Sequence, residues 1–550
     1  MFANHSRVVD NFAASIGSMV QQLRENKVLN FAAAMVVVLV LYKFGIGGTK
    51  YFASTEFTLS FPTTLALIAG STGIAFYTNL FRYSELWLPL RILIRAAGAV
   101  ILAQVTFDAF WPSAWPSNIL IGMSGELRLL IGLALLIGIT SQFRPAFLLS
   151  FGVAYFAFRY HAPVPYGLTR TSLDFQVLAD AFAFPTAALI GWKLLNLFRS
   201  HLPRNVTAVL DVPNGFVSWQ KALWAISVGV HLGNYFHSAL GKIYIGGPQP
   251  FFWLWNNPTY NTIALGISRL NSPIAGYPEI VQLYFDFMVM AAIPLNFFVF
   301  LIQFLSPIAA WNRKLLILFT LAFDCMHLGI YLGLGVFFFF WIALNVIILA
   351  SLAKMTDREF SWWVRGLVTV SCLWGYLVFY QAGLGWLDGR KIVRENFYAR
   401  TTEGTSVLVP PAMFGLYAYQ IAHGDLYIPS GHHKMRSGGN ATISTWEDAF
   451  KCGPIMVEEE QAFVSKANIE RLTRDYHQFF SSHPWIKQTK IFYWYPHHSP
   501  SNPVFFDAYE ALDLGNIEAY DYVVESVCID LENGRLKDDV RVRSDFEIGL

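Results

Sequence analysis

Apolar runs of about 20 residues recur along the chain from residue 28 to residue 386 and then cease. A helix needs roughly that length to cross a hydrocarbon core. The runs lie near 28–47, 59–82, 87–111, 127–140, 144–160, 174–198, 216–242, 279–304, 313–332, 334–352 and 364–386, which predicts about eleven spans. The run at 127–140 is short, and the tight joints at 141–143 and near 333 read either as turns or as breaks inside the bundle. From residue 387 onward charges are dense and the pattern changes. A charged, helix-like stretch over about Glu458–Phe480 is followed by β-prone runs, Lys490–Tyr495 and Tyr522–Val527. The expected fold is a polytopic α-helical membrane bundle followed by a C-terminal soluble α+β domain. Its parts are a polar N-terminal segment (1–27), the bundle (28–386) and the soluble domain (387–550).

Composition supports that division. Of the 550 residues, 55% are hydrophobic and only 14% charged, against nearer a quarter charged in soluble domains. Residues 387–550 hold 16 Lys and Arg against 23 Asp and Glu, leaving 23 against 14 for the first 386. A basic bundle therefore carries an acidic tail. No basic run with interleaved aromatics is present, so no nucleic-acid partner is expected.

Charge also gives a direction. Arg7, Arg24, Lys27, Arg199, Arg204, Arg313, Lys314, Lys354, Arg358 and Arg365 fall on one side of an eleven-span bundle, although Lys50, Arg170 and Arg269 fall on the other. Basic loops stay cytoplasmic. This places the N-terminus in the cytoplasm and the tail in a periplasm, lumen or extracellular space; an even number of spans would reverse the tail. Cys452 and Cys528 would be free to pair in such an oxidising compartment. Asn205-Val206-Thr207 and Asn440-Ala441-Thr442 match the glycosylation acceptor pattern. The long loop at 243–278, with Trp253, Trp255 and Tyr260, reads as an interfacial aromatic belt or as a cover over a site at the outer face.

Ionisable groups at membrane depth are functional candidates by default. The densest set is in the seventh run. His231, Asn234, Tyr235, Ser238 and Lys242 are spaced i, i+3, i+4, i+7 and i+11, which makes one helix face, with His237 to the side. This stripe reads either as interhelical glue with Lys242 snorkelling to the interface, or as a catalytic face. A lysine drawn out of water gives up its proton more readily, which is what a base requires. Further candidates are His327, Asp286, and His161 in an outer loop with Asp174. The adjacent pairs His432-His433 and His497-His498 do not share a helix face, and no metal is expected. Phosphate-loop, dinucleotide and nucleophile-elbow motifs are absent.

Over roughly residues 80–350 the chain resembles the horizontally transferred transmembrane (HTTM) family, which includes the vitamin K-dependent carboxylases. The resemblance rests on order and spacing. Gly125-Glu126-Leu127-Arg128 precedes Thr140–Arg144, and the segment from His161 to Asp174 leads into Asp180–Pro185. Trp219-Gln220 is followed by Tyr235-Phe236-His237-Ser238-Ala239-Leu240-Gly241-Lys242, and then by His327-Leu328-Gly329-Ile330 with Leu334–Phe337.

The resemblance implies that Lys242 is the base that deprotonates a reduced, vitamin K-like quinone. Reaction with oxygen would then generate a strong base for the γ-proton of a glutamate, and the carbanion would capture carbon dioxide. His161 matches a histidine of the carbanion step, and His327 the later histidine element. His231, Asn234, Tyr235, His237, Ser238 and Asp286 would form the substrate or quinone pocket. Two departures stand out: Gly241 replaces the second lysine of the animal enzymes, and the register of His327 is shifted. The implied partners are membrane lipid and a secreted peptide or polypeptide. A non-catalytic HTTM protein, binding a peptide or lipid as a maturation or immunity partner, is the other reading.

Overall fold

The computed structural model describes residues 32, 34–44, 60–78, 82–110, 125–161, 166, 173–201, 215–245, 249–424, 426–432, 461–462, 464–494 and 499–550. The helical part comprises α1 (Ala34–Phe44), α2 (Phe61–Thr78), α3 (Leu88–Phe110), α4 (Gly125–Phe143), α5 (Leu148–His161), α6 (Leu173–Leu197) and α7 (Gly215–Ile245). It continues with α8 (Thr262–Ser268), α9 (Pro278–Phe304), α10 (Arg313–Leu334), α11 (Phe339–Ala353) and α12 (Trp362–Trp374).

Eleven crossings are not supported. Among the described residues, five helices are long and apolar enough to cross a membrane: α3, α4, the Val177–Leu197 part of α6, α9 and α10. That is the signature of a multi-pass membrane protein. Four of the other apolar runs fall short for identifiable reasons. α5 and α11 have 14 and 15 residues, or about 21 to 23 Å at 1.5 Å per residue. α7 is 31 residues long, but its polar stripe interrupts its apolar surface. The last run, expected to span 364–386, is helical only through α12, which has 13 residues. After a 3₁₀ turn at Gly375–Leu377, the chain from Tyr380 to Gly389 has no regular secondary structure.

α7 is the spine of the bundle. Trp224, buried within it, packs edge-on against Phe360 just before α12, with ring centroids 6.3 Å apart. Further along, a Cβ on Gly233 would come 2.7 Å from the carbonyl oxygen of Cys372. α12 therefore runs beside α7 in the same direction, and the irregular segment after it continues along it to the C-terminal end of α7, where the tail begins. α9 contains Pro294, whose ring removes one helical hydrogen bond and favours a kink. Much of the surface of α9 is apolar and exposed, including Leu283, Phe287, Met290 and Leu301, as a lipid-facing helix requires.

The tail is an α+β unit. Its main sheet has the order β2–β1–β5–β6, all antiparallel: β1 (Lys391–Thr401), β2 (Ser406–Val409), β5 (Ile517–Glu532) and β6 (Arg535–Gly549). A short ladder pairs β3 (Tyr427–Ile428) with β4 (Gln461–Ala462). The β5–β6 turn uses Asn533 and Gly534, with φ of 52° and 70°, as a two-residue hairpin turn of this hand demands. α13 (Lys466–Ser482) is capped by Ser465 and buries Ile469, Leu472, Tyr476 and Phe480 against the sheet domain.

The charged segment expected from Glu458 is thus helical from Lys466, and residues 458–460 lie outside the described residues. The run expected as a strand at Lys490–Tyr495 forms a 3₁₀ turn at Ile491–Trp494 instead, because Lys490 takes a left-handed φ of 55° that breaks a strand. The run Tyr522–Val527 does lie in β5. Residues 246–248, Asn205, Asn440, Cys452, His433 and the His497-His498 pair also lie outside the described residues.

The two parts are joined by packing. Val527, Ile529 and Leu531 of β5 share an apolar cluster with Ile263 and Leu265 of α8, Val281 of α9 and Leu334 of α10. The hairpin tip rests on the start of α9, where the Gly534 N–H donates to Gln282 Oε1 at 2.5 Å. Tyr166, from the segment after α5, donates to Asp475 of α13 at 2.6 Å.

Candidate functional site

The stripe on α7 has a structural reason to be polar. Irregular backbone inside a bundle has no helical partners for its N–H and C=O groups, and at membrane depth each must be satisfied by protein. Asn234 Oδ1 accepts the N–H of Ala382 at 2.7 Å, and Ser238 Oγ accepts that of Leu384 at 3.2 Å. Ser238 Oγ also stands 3.2 Å from the Ala382 carbonyl oxygen, and Lys242 Nζ donates to the Leu384 carbonyl at 3.2 Å. Three stripe residues, each four apart, thus take the place of the missing helical turns. Glycines permit the close approach: a Cβ on Gly241 would meet the backbone of Gly385 at 3.0 Å.

The other stripe residues turn toward α10 and α11. His231 Nε2 pairs with Asn345 Oδ1 at 2.7 Å, while Asn345 Nδ2 donates to Tyr235 Oη at 3.0 Å and to Asp324 Oδ1 at 2.7 Å. The Tyr235 ring stacks on Phe323 with centroids 3.6 Å apart.

Beside the end of α7 is a cavity of about 310 Å³. It is bounded by α7, α9, α10, the start of α11, the 253–262 loop and the irregular segment leading into β1. Most of its wall is apolar, with Met288, Leu295, Ile330 and Leu334 typical of it; polar groups gather at one end. There Lys242 Nζ donates to Gln303 Oε1 at 2.9 Å and faces the Trp253 ring 5.2 Å from its centroid, while Ser238 O lies at 3.5 Å. Asp388 is held by Asn257 Nδ2 and Trp386 Nε1, each at 2.8 Å, and Asn296 Nδ2 donates to the carbonyls of Asn257 and Leu254. Asp388 stands just beyond the helical part. Burial pushes its carboxyl up to about 6, against the downward pull of those donors and of the Lys242 charge.

Of the expected site residues, Lys242, His327 and Ser238 line this cavity. His231, Asn234 and Tyr235 lie behind it, in the two networks just described. His237 packs on Tyr376 outside it, with ring centroids 5.1 Å apart. His161 is bonded to Thr64 Oγ1 at 2.8 Å, between α5 and α2, and Asp286 is exposed on α9 beside Gln282. Neither lines the cavity: α5 packs elsewhere, and Asp286 lies on the exposed face of α9, away from it.

Sequence reasoning missed Gln303, Asn257, Asn296 and Asp388. The signal for two of them was visible as lone amides within the apolar run 279–304. From the 243–278 loop, Trp253, Asn257, Thr259 and Thr262 line one side of the cavity, while Trp255 is exposed. His432, a weak metal candidate, is occupied by hydrogen bonds to Ser526 and Ser544 at 3.0 and 2.9 Å, and burial lowers its pKa.

The fold and site define a multi-pass helical membrane protein with an α+β tail and an apolar, lysine-headed cavity where the two parts meet. No family model matches the chain, nor does any curated protein or solved structure.

Proposed function

We propose that the protein is a carboxylase-like integral membrane enzyme that holds a reduced quinone in the lysine-headed cavity and modifies a polypeptide at the non-cytoplasmic face. The observation that carries this reading is Lys242 Nζ at the polar end of an otherwise apolar cavity. The residues suit a quinol: apolar walls for ring and chain, and Lys242, Gln303, Asn257 and Asp388 as hydrogen-bonding groups for the ring oxygens. A reduced quinone supplies, with oxygen, the strong base that removal of a glutamate γ-proton needs.

The part played by Lys242 follows from its partners. Three acceptors surround Nζ, so the ammonium form uses all three of its N–H bonds. To act as a base the amine must give one up, and the 3.5 Å contact with Ser238 O is the weakest. Gln303 and Leu384 then keep Nζ aimed. The Trp253 ring covers it and excludes water, which strengthens every charge interaction at that end.

Lys242→Ala and Lys242→Arg test the proposal. Both are expected to fold and to lose quinol-dependent carboxylation of a glutamate-containing peptide by at least 100-fold. Unchanged turnover in either would refute it.

One observation favours the second reading, a non-catalytic peptide- or lipid-binding partner: Lys242 also satisfies the Leu384 carbonyl, continuing a purely structural series with Asn234 and Ser238. In that case Lys242→Arg retains all function and Lys242→Ala loses it only by unfolding.

The non-cytoplasmic placement of the tail draws support from Cys528, which is disulfide-bonded, since disulfides persist in oxidising compartments. Labelling of an introduced surface cysteine, such as Lys537→Cys, by an impermeant maleimide from outside the cell is the expected result. Labelling only after the membrane is opened would place the tail inside.

A further inference from the structure

The cavity has a wall that is not closed by protein. Phe287 and Phe298 of α9 line it and are 51% and 43% exposed, and Cys325 of α10, which also lines it, is exposed. Lys242 of α7 is buried, as are Asn296 and His327 on the inward faces of α9 and α10. The exposed lining residues lie on two of the five helices long and apolar enough to cross a membrane, so the mouth faces the surface that lipid covers. Between them sits Gly329 of α10. It lines the cavity, and a Cβ built on it meets nothing within 4 Å. Tyr284 Oη donates to the Gly329 carbonyl at 3.2 Å, which ties α9 to α10 beside this notch.

The geometry points to a lateral portal between α9 and α10, with Gly329 as its notch, through which the cavity is loaded from the bilayer. The ligand class is an amphiphile dissolved in lipid, with a hydrogen-bonding head that reaches Lys242, Gln303 and Asp388 and an apolar chain that trails through the portal. A head group arriving from water would have to pass the cover formed by Trp253, Asn257 and Thr262. A chain arriving from lipid exchanges one apolar surrounding for another and does not pass through water. The inference rests on the cavity being the ligand site, and not on the chemistry assigned to Lys242.

The test uses the full chain in phosphatidylcholine vesicles with two probes dissolved in the lipid: a hexadecyl benzophenone and a naphthoquinol with a polyprenyl chain. The benzophenone is expected to crosslink to peptides carrying Met288 or Met326, and either probe to protect Cys325 from N-ethylmaleimide. Gly329→Phe fills the notch and should cut crosslinking at least ten-fold. Gly132→Phe on α4, where a Cβ also meets nothing within 4 Å, should leave it unchanged. Undiminished crosslinking in Gly329→Phe, or crosslinking only by probe supplied from water, overturns the portal. If Gly329→Phe does not fold, blocking Cys325 in the folded wild type with a bulky maleimide replaces it, with the same ten-fold loss expected. If the benzophenone enters and the quinol does not compete, the portal stands and the quinone reading fails.

Discussion

Asn234 Oδ1 accepts the backbone N–H of Ala382 at 2.7 Å, across 148 residues of chain. A side chain on a bundle helix thereby does what the next turn of α12 would have done had that helix continued. Asn234→Ala leaves this buried donor unpaired, at a cost of about 1–3 kcal/mol. The expected outcome is a lowered melting temperature in detergent. Equal stability of Asn234→Ala and the wild type would mean that the irregular segment is held by other contacts.

Gly233 faces the start of the same segment. A Cβ there would crowd the Gln381 side chain and stand 2.7 Å from the Cys372 carbonyl oxygen. The amide end can move aside, but the carbonyl belongs to the last turn of α12 and cannot. Gly233→Ala is expected to destabilise by about 1–3 kcal/mol, and Gln381→Ala on the same background should relieve only a minor share. Thermal unfolding of the two single variants and the double variant measures this.

Asp388 gives a pH dependence with a definite sign. Its carboxyl is raised from 3.8 in the unfolded chain to about 6 in the fold, so the folded state holds its proton more tightly. The resulting destabilisation is absent below about pH 4, grows between pH 4 and pH 6, and is complete above that. Asp388→Asn should remove this component. The melting temperature of the wild type relative to Asp388→Asn is therefore expected to fall between pH 4.5 and pH 7.5, and a constant difference would contradict it.

Cys528 is paired opposite Lys391 in the β1–β5 register and is disulfide-bonded. Loss of a native disulfide from a small domain costs about 2–5 kcal/mol. Cys528→Ser, or reductant added to the purified protein, should lower the unfolding midpoint of the tail. Cys325→Ser and Cys372→Ser serve as controls, since both cysteines are free.

The long apolar runs were legible because lipid imposes one solution, the helix, on any segment that crosses it. Val336 to Phe340 read as part of a span and is not one in full: Gly335 takes a left-handed φ of 74° that ends α10, and α11 begins only at Phe339. The run at 364–386 failed for a related reason. Hydropathy records that Leu377–Leu387 is apolar, but not that its backbone partners lie on α7. Gln381 and the pair Gly383 and Gly385 were the only local sign. For the site, the i, i+4 stripe correctly grouped Asn234, Ser238 and Lys242 on one face. It did not reveal that Gln303, Asn257 and Asp388, far apart in sequence, converge on Lys242. His161 and Asp286 were drawn in as ionisable groups in or beside apolar runs; α5 packs away from the cavity, and Asp286 lies on the exposed face of α9.

The β5–β6 hairpin ends with Gly534 against the backbone of Pro278 and hydrogen-bonded to Gln282, at the first turn of the helix that walls the cavity. Mechanically this is a strut. Force that bends the sheet is delivered to α9 at its end, where leverage on the α9–α10 gap is greatest. A bundle cut free of its tail is therefore not a smaller version of this protein but one with a wall left unsupported, and the two parts are best expressed, purified and engineered as one piece.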